Sequence, residues 1–272
     1  MEKKGIRLTS AFGVMIVAVI LLMVIAPQIF TSWDPLAVDP RNRLQAPTSE
    51  HWLGTDEYGR DIWTRMVYGA KPSIFVGFGA AFLAMMLGVP FGLIAGYYGG
   101  IVDNIIMRIM DAFLSFPSVL LAILLITVFE PSEITLILTI SIVSFPAYGR
   151  IVRSSVLSLK EREFTEAAKA FGARSKYIML RTLLPNCASA IIVQFSLFAA
   201  SSILIEASMS FLGLGIQPPT PAWGSMLSYA RGYIDRCPIY IIAPTAIIFL
   251  TVLGISLLGD SLREWLDPTK LK

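Results

Sequence analysis

Long stretches without a charged residue dominate this sequence and restrict the folds that the chain can adopt. A helix that crosses a membrane needs about 20 mostly apolar residues. Six runs approach or exceed this length: residues 8–33, 72–102, 109–129, 134–149, 182–205 and 237–259. The third contains one charged residue, Asp111, and the fourth is short but can be extended at either end. The sequence therefore predicts an all-α, multi-pass membrane protein with six transmembrane helices.

The composition agrees with this class and disfavours others. Hydrophobic residues make up 55% of the chain and charged residues 15%, which is outside the usual range of soluble domains. The net charge of +3 does not indicate nucleic acid as a partner, because Lys and Arg in cytoplasmic loops give the same surplus. His51 is the one histidine, and Cys187 and Cys237 lack metal-type spacing, so we expect no metal site.

The distribution of Lys and Arg predicts the orientation. With the N-terminus in the cytoplasm, 15 of the 22 basic residues lie on the cytoplasmic side, eight of them in residues 150–181. The opposite orientation would place this basic loop outside, against the positive-inside tendency. We therefore expect both termini in the cytoplasm, an uncleaved first helix, and Cys187 and Cys237 on opposite sides without a disulfide.

Residues 207–230 form another uncharged run that cannot be one helix. It contains "GLGIQPPTPAWG", and Gly and Pro at this density interrupt a helix. Irregular backbone at membrane depth is tolerated where protein or water satisfies its polar groups. We expect an extended or re-entrant loop over residues 213–223 that faces a cavity.

The loop between the fourth and fifth predicted helices, residues 150–186, contains the charged stretch "EFTEAAKAFGARSKYIMLRTLLPN". Its residues from Glu161 to Phe171 favour a helix, and Gly172 favours a break. A second helix is predicted from Tyr177 to the proline at 185. From the residues alone, a solvated loop or an amphipathic helix on anionic lipid also fits.

The order of residues in this stretch resembles the EAA loop of ABC importer permeases. That family has Glu-Ala-Ala, three residues, Gly, nine residues, Ile, one residue and Leu-Pro, and Thr182 stands here in the place of Ile. The matching residues are Glu166, Ala167, Ala168, Gly172, Leu184 and Pro185. The resemblance implies a type I ABC importer permease, in which paired coupling helices dock into a cytoplasmic ATPase.

Three further stretches resemble the C-type permease of dipeptide, oligopeptide and nickel importers. They are "HWLGTDEYGRDIWTRMVYG" (51–69), "RIMDAFLSFPS" (108–118) and "EASMSFLGLGIQPPTPAWGSML" (206–227). Thr64 stands where Ser is common, and the resemblance covers residues 33–268. It implies residues 1–70 as a first helix with an extracytoplasmic segment, and residues 71–272 as the transporter domain.

By this resemblance the chain is half of a pathway for uptake of dipeptides or oligopeptides, with nickel or a metal chelate as the alternative. The implied partners are a second, homologous permease, two cytoplasmic ABC ATPases and an extracytoplasmic binding protein, in a prokaryotic cytoplasmic membrane. The sequence contains no G-x-x-x-x-G-K-[S/T] phosphate loop. We therefore expect no catalytic residue or cofactor in this chain, and ATP with Mg on the ATPases. A stand-alone secondary transporter or channel and a membrane scaffold are the rival classes.

Other ionisable residues are candidates with structural alternatives. Asp56, Arg60 and Asp61 are candidates for binding-protein docking, or they form a salt-linked surface cluster. Arg108 and Asp111 are expected to pair on one helical face.

Glu206 is an ionisable residue deep in an apolar run, and such groups face a partner or a wet cavity. With Pro218 and Pro219 it is a candidate for the gate or the translocation path. The alternatives for Glu206 are a contact with a substrate amine or a pairing with another subunit.

Overall fold

Nine α-helices make up most of the described chain. The computed structural model describes residues 2–266, with side chains from Thr9 to Trp265. No β-strand occurs in this range, where one isolated antiparallel bridge joins Thr55 to Asp61. Lys270 and Lys272, which contributed to the predicted orientation, and Pro268 lie outside the described residues. The helices are α1 Glu2–Ile25, α2 Ile62–Tyr98, α3 Gly100–Leu114, α4 Ser118–Ile126, α5 Glu133–Leu159, α6 Glu163–Ala170, α7 Ser175–Phe211, α8 Trp223–Ala230 and α9 Ile239–Leu266.

Several of these helices can cross a membrane. By length and apolar character, α2, α5, α7 and α9 each qualify as a span. Helices α3 and α4 together form a fifth candidate, bent by 87° between its two halves. The apolar part of α1, Thr9–Ile25, is shorter. The prediction of an all-helical membrane protein is confirmed, with four to five candidate spans among the described residues.

The third predicted helix, residues 109–129, is not one continuous rod. The chain breaks between α3 and α4 because Pro117 has no amide hydrogen and disfavours helical backbone at Phe116. Helix α2 also differs from its prediction, since it begins ten residues before the uncharged run. Asp61 starts it there by accepting a hydrogen bond from the Thr64 amide at 2.7 Å.

Helices α2 and α5 approach closely along a row of glycines. Gly88, Gly92 and Gly96 lie at four-residue intervals on the face of α2 that meets α5. A β-carbon at Gly92 would lie 2.5 Å from the Gly149 carbonyl oxygen and 2.8 Å from the β-carbon of Val152. Small residues at such spacing let helix backbones approach closely within a membrane.

Ion pairs extend α5 ten residues beyond the predicted run, to Leu159. Arg153 forms a bidentate pair with Asp103 of α3, with both N–O distances 2.5 Å. Arg150 contacts Asp111 at 2.5 Å. The predicted pair of Arg108 with Asp111 is therefore wrong, because the carboxylate bonds across to α5 rather than along α3.

Helix α7 passes through Pro185, where the sequence predicted a boundary. A π-helical turn over Ile178–Leu183 precedes the proline. Pro185 cannot donate a hydrogen bond to the preceding turn and its ring crowds that turn, and the wider π turn relieves both effects. Pro244 similarly lies inside α9.

Candidate functional site

The loop between α5 and α7 carries the short helix α6, which packs on the bundle through one side. Thr165 is buried, and its hydroxyl donates to the carbonyl oxygen of Leu159 at 2.9 Å. Ala168 packs against an apolar cluster that includes Val152 and Leu183. These contacts attach α6 directly to the end of α5.

Gly172 ends α6 in a Schellman motif. Its φ is +78°, a left-handed conformation that glycine adopts without a steric cost. The Ala173 amide donates to the Ala168 carbonyl at 3.0 Å, and the Gly172 amide donates to the Lys169 carbonyl at 2.9 Å. These two bonds define the motif and satisfy carbonyls at the end of the helix. The chain then turns into α7, which begins only three residues later.

The predicted loop residues lie mostly on an open surface. Glu166, Ala167 and Gly172 are exposed, and a β-carbon at Gly172 would meet nothing within 4 Å. Leu184 is half-buried and Pro185 is exposed. The first residues of the motif therefore lie on the surface of this chain. Its last residues, Leu184 and Pro185, lie within the first third of α7.

Two exposed aromatic residues of this surface were not among the predicted site residues. Phe171 is 92% exposed and Tyr177 is 58% exposed. Exposed apolar groups can mark interaction surfaces, so these two rings are added to the candidate surface of the loop. The signal in the sequence was the spacing of Phe164 and Phe171 on one helical face, which also fits burial inside the chain.

Charged and polar contacts hold the root of the loop against α2 and α3. Besides the Arg153–Asp103 and Arg150–Asp111 pairs, the ammonium of Lys160 donates to the Gly96 carbonyl at 3.3 Å. The two ion pairs differ in burial, because the Arg150 and Asp111 side chains are both more than half exposed. These contacts join the end of α5 to α2 and α3.

Glu206 lies in the interior, in the middle of the bundle formed by α2, α7 and α8. Its side chain is fully buried, and the Ser210 hydroxyl donates to Oε1 at 2.7 Å. Oε2 makes no hydrogen bond to the described residues, although Ser73 of α2 lies nearby. A buried carboxyl oxygen without a donor is costly. Glu206 is therefore a buried carboxyl group with the Ser210 hydroxyl as donor to Oε1 and Ser73 close by.

The segment between α7 and α8, residues 212–222, is irregular as predicted. Gly213 ends α7 with a φ of +82°, and Pro218 and Pro219, joined by a cis peptide bond, are exposed. Trp223 anchors the far end, where it is fully buried and its indole N–H donates to the Met66 carbonyl at 2.9 Å. Thr220 and Pro221 line a cavity, in agreement with the prediction that this segment faces one.

The connector between α1 and α2, residues 26–61, contains Asp56, Arg60 and Asp61 in its interior. Arg60 Nε contacts Asp56 Oδ2 at 2.6 Å, and Arg65 of α2 lies 3.5 Å from the same oxygen. Asp61 accepts from the Thr64 amide and lies 3.0 Å from His51 Nδ1. All three predicted docking residues are buried, so they hold the shape of the connector. The docking role of this segment stays a prediction.

His51 contacts one carboxylate rather than a cluster of ligands. Among the described side chains, no group of three His, Cys, Asp or Glu residues could hold a metal ion. Cys187 and Cys237 are both buried and are not joined by a disulfide.

The long apolar helices define an all-helical, membrane-embedded protein. Residues 88–272 match the family described as binding-protein-dependent transport system inner membrane component. The chain belongs to this family.

Relatives of known function support this membership. The chain is 46% identical over 256 residues to the dipeptide transport system permease protein DppC of Alkalihalophilus pseudofirmus, covering 94% of this chain and 84% of that protein. It is 45% identical to the glutathione transport system permease protein GsiD of Pectobacterium atrosepticum, and the match covers 84% of this chain and 75% of that protein. A chain of the MetNI methionine ABC transporter in an inward-facing conformation has the same fold, with a TM-score of 0.62 at 19% identity. The match covers 75% of this chain and 96% of that chain.

Proposed function

We propose that this chain is one of two permease subunits of an ABC importer that takes up dipeptides or other short peptides. The observation that carries the proposal is the exposed loop of α6 and Gly172, which packs against the end of α5 through Thr165 and leads within three residues into α7. The dipeptide and glutathione permeases among the relatives support the peptide class. The alternative cargo is nickel or a metal chelate.

The assembly that fits this role contains a second, homologous permease, two cytoplasmic ATPases and an extracytoplasmic binding protein. Six crossings result if α1 and the bent pair of α3 and α4 each count as one. Both termini are then cytoplasmic in a prokaryotic inner membrane, with residues 1–70 preceding the transporter domain 71–272. ATP and Mg bind to the ATPases, and this chain carries out no covalent chemistry.

The loop suits the transmission of force from ATP hydrolysis. Phe171 and Tyr177 supply an apolar surface that an ATPase cleft buries on docking, and the exposed Glu166 of α6 offers a hydrogen-bond acceptor. Helix α7 has 37 residues and is therefore roughly 55 Å long. One helical rod thus joins the docking surface to Glu206, and its π turn lies near its N-terminal end.

Movement of the rod changes the surroundings of Glu206 and of the α7–α8 segment. When the ATPases close on ATP, the two loops approach each other and the permeases open outward. Release of the hydrolysis products reverses the movement. Glu206, Pro218 and Pro219 act in the gate, where Oε2 of Glu206 meets a donor in one of the two states. The connector held together by Asp56, Arg60 and Asp61 provides the surface on which the binding protein docks.

The test is solute uptake by the reconstituted complex. Proteoliposomes that contain both permeases and both ATPases are given the binding protein and either a radiolabelled dipeptide or a nickel chelate. ATP-dependent uptake of the dipeptide, and none with a non-hydrolysable ATP analogue, supports the proposal. Uptake of nickel chelate alone supports the alternative cargo. Uptake without ATP or ATPases indicates a stand-alone transporter or channel and contradicts the proposal.

A further inference from the structure

A cavity of about 490 Å³ opens between α2, the start of α5 and the α7–α8 segment. Sites that enclose small molecules usually measure roughly 300–1,000 Å³ and combine apolar walls with a few polar groups. This cavity has such a size and such walls. Its lining residues are Tyr68, Lys71, Pro72, Phe75, Glu133, Thr220 and Pro221.

The two charged residues of this lining have opposite signs and are not paired with each other. Lys71 is exposed in α2, and Glu133 is the half-buried first residue of α5. Neither takes part in an ion pair within the described part of the chain. The N-terminal end of α5 favours the negative charge of Glu133. The cavity therefore offers one ammonium and one carboxylate to a ligand.

An unmodified short peptide carries the complementary pair of groups, an α-ammonium at one end and a carboxylate at the other. We propose that this cavity is a subsite of the translocation path that binds both termini of a short peptide. Lys71 pairs with the terminal carboxylate and Glu133 with the α-ammonium, while Tyr68 and Phe75 pack against the peptide side chains. The inference rests on the proposed function and assigns residues to its substrate.

The same lining argues against uncomplexed nickel as cargo. A site that captures nickel directly would present imidazole, thiolate or several carboxylates. The lining of this cavity contains neither His nor Cys, and Glu133 is its one carboxylate. An aromatic wall between two opposite charges suits a zwitterion.

The experiment compares three probes that differ only at their ends: Ala-Phe, N-acetyl-Ala-Phe and Ala-Phe amide. Uptake by the complete reconstituted complex is expressed for each variant relative to wild type with the same probe, so that the preference of the binding protein cancels. Lys71→Gln should reduce relative uptake about fivefold for the two probes with a free carboxylate and spare the amide. Glu133→Gln should reduce it for the two probes with a free ammonium and spare the acetylated peptide.

Two variants of charged residues outside the lining serve as controls. Glu130→Gln and Arg236→Gln should keep uptake of every probe within about twofold of wild type. Equal losses for all three probes, or no loss in either test variant, overturn the subsite. If the wild-type complex carries Ala-Phe alone, the exchanged variant Lys71→Glu/Glu133→Lys decides: partial recovery relative to the single variants supports the subsite, and additive loss overturns it. A wild-type complex that carries neither Ala-Phe nor any other di- or tripeptide overturns the proposed function and the subsite together.

Discussion

Replacing Gly172 should break the link between ATP hydrolysis and uptake in graded steps. Gly172→Ala meets no atom within 4 Å, so its cost comes from the positive φ alone. A left-handed alanine costs about 1–2 kcal/mol, and the reduced freedom of the unfolded loop offsets about 0.4–1 kcal/mol of this. The net cost of about 1 kcal/mol lowers the ratio of ordered to disordered loop by about fivefold.

Gly172→Pro should be far more disruptive. The proline ring fixes φ near −65°, which excludes the left-handed turn and with it the bond from Ala173 to Ala168. The variant also lacks the amide that donates to Lys169. Two lost hydrogen bonds at about 1 kcal/mol each and the distorted turn together cost about 3 kcal/mol. This cost lowers the ratio of ordered to disordered loop by roughly 150-fold. Helix α6 has only eight residues, too few to remain ordered on its own.

The assay measures peptide uptake and ATP hydrolysis in the same proteoliposomes. We expect Gly172→Ala to retain at least about a fifth of wild-type uptake, and Gly172→Pro to lose more than about nine-tenths while the complex still assembles. Gly100→Ala is the matched control, because Gly100 also has a positive φ and open space around it but lies outside the loop. Wild-type uptake per ATP in the proline variant would refute the coupling argument.

Three further substitutions test other parts of the structure. Phe171→Ser should weaken copurification of the ATPases by about tenfold, because a large exposed ring loses its burial on docking, whereas Trp52→Ser on the connector should leave it unchanged. Asp103→Asn should lower the Tm of the purified complex by several degrees and Asp111→Asn by less, since the first breaks a largely buried bidentate pair and the second an exposed one; equal shifts would contradict this. Gly92→Leu should prevent recovery of folded protein, because its side chain would meet the α5 backbone, while Gly232→Leu, in open space, should be recovered normally.

The helical class and the positions of the long helices could be predicted from the sequence because uncharged runs report directly on membrane burial. The ends of those helices could not. Arg65 lies inside α2 because Asp56, on the connector, faces it, and Arg153 lies inside α5 because Asp103 comes from another helix. Such pairings join residues that are distant in sequence. From the pattern of charges alone, each of these arginines is therefore predicted to lie beyond the end of its helix.

The local structure of the loop around Gly172 could be predicted from the sequence, but its contacts with the rest of the chain could not. The helix-forming residues before Gly172 and the glycine itself indicated a helix and a turn, and both are present. The continuity of α7 through Pro185 was not expected, because the cost of an internal proline is relieved here by a π turn. Similarly, the sequence marked Glu206 as unusual, but its single hydrogen bond to Ser210 emerged only from the fold.

The most direct measurement is a cysteine cross-link between this loop and the ATPase. With Cys187 and Cys237 replaced by Ala, a single cysteine is introduced by Ala167→Cys on the exposed face of α6, or by Gly232→Cys between α8 and α9 as the control. A thiol-to-lysine cross-linker with an internal disulfide is then attached to this cysteine. We predict that Ala167→Cys cross-links to the ATPase through this reagent, that uptake stops, and that reduction of the disulfide restores it. Cross-linking from the control position alone, or uptake that persists after complete cross-linking at 167, would contradict the proposed coupling role.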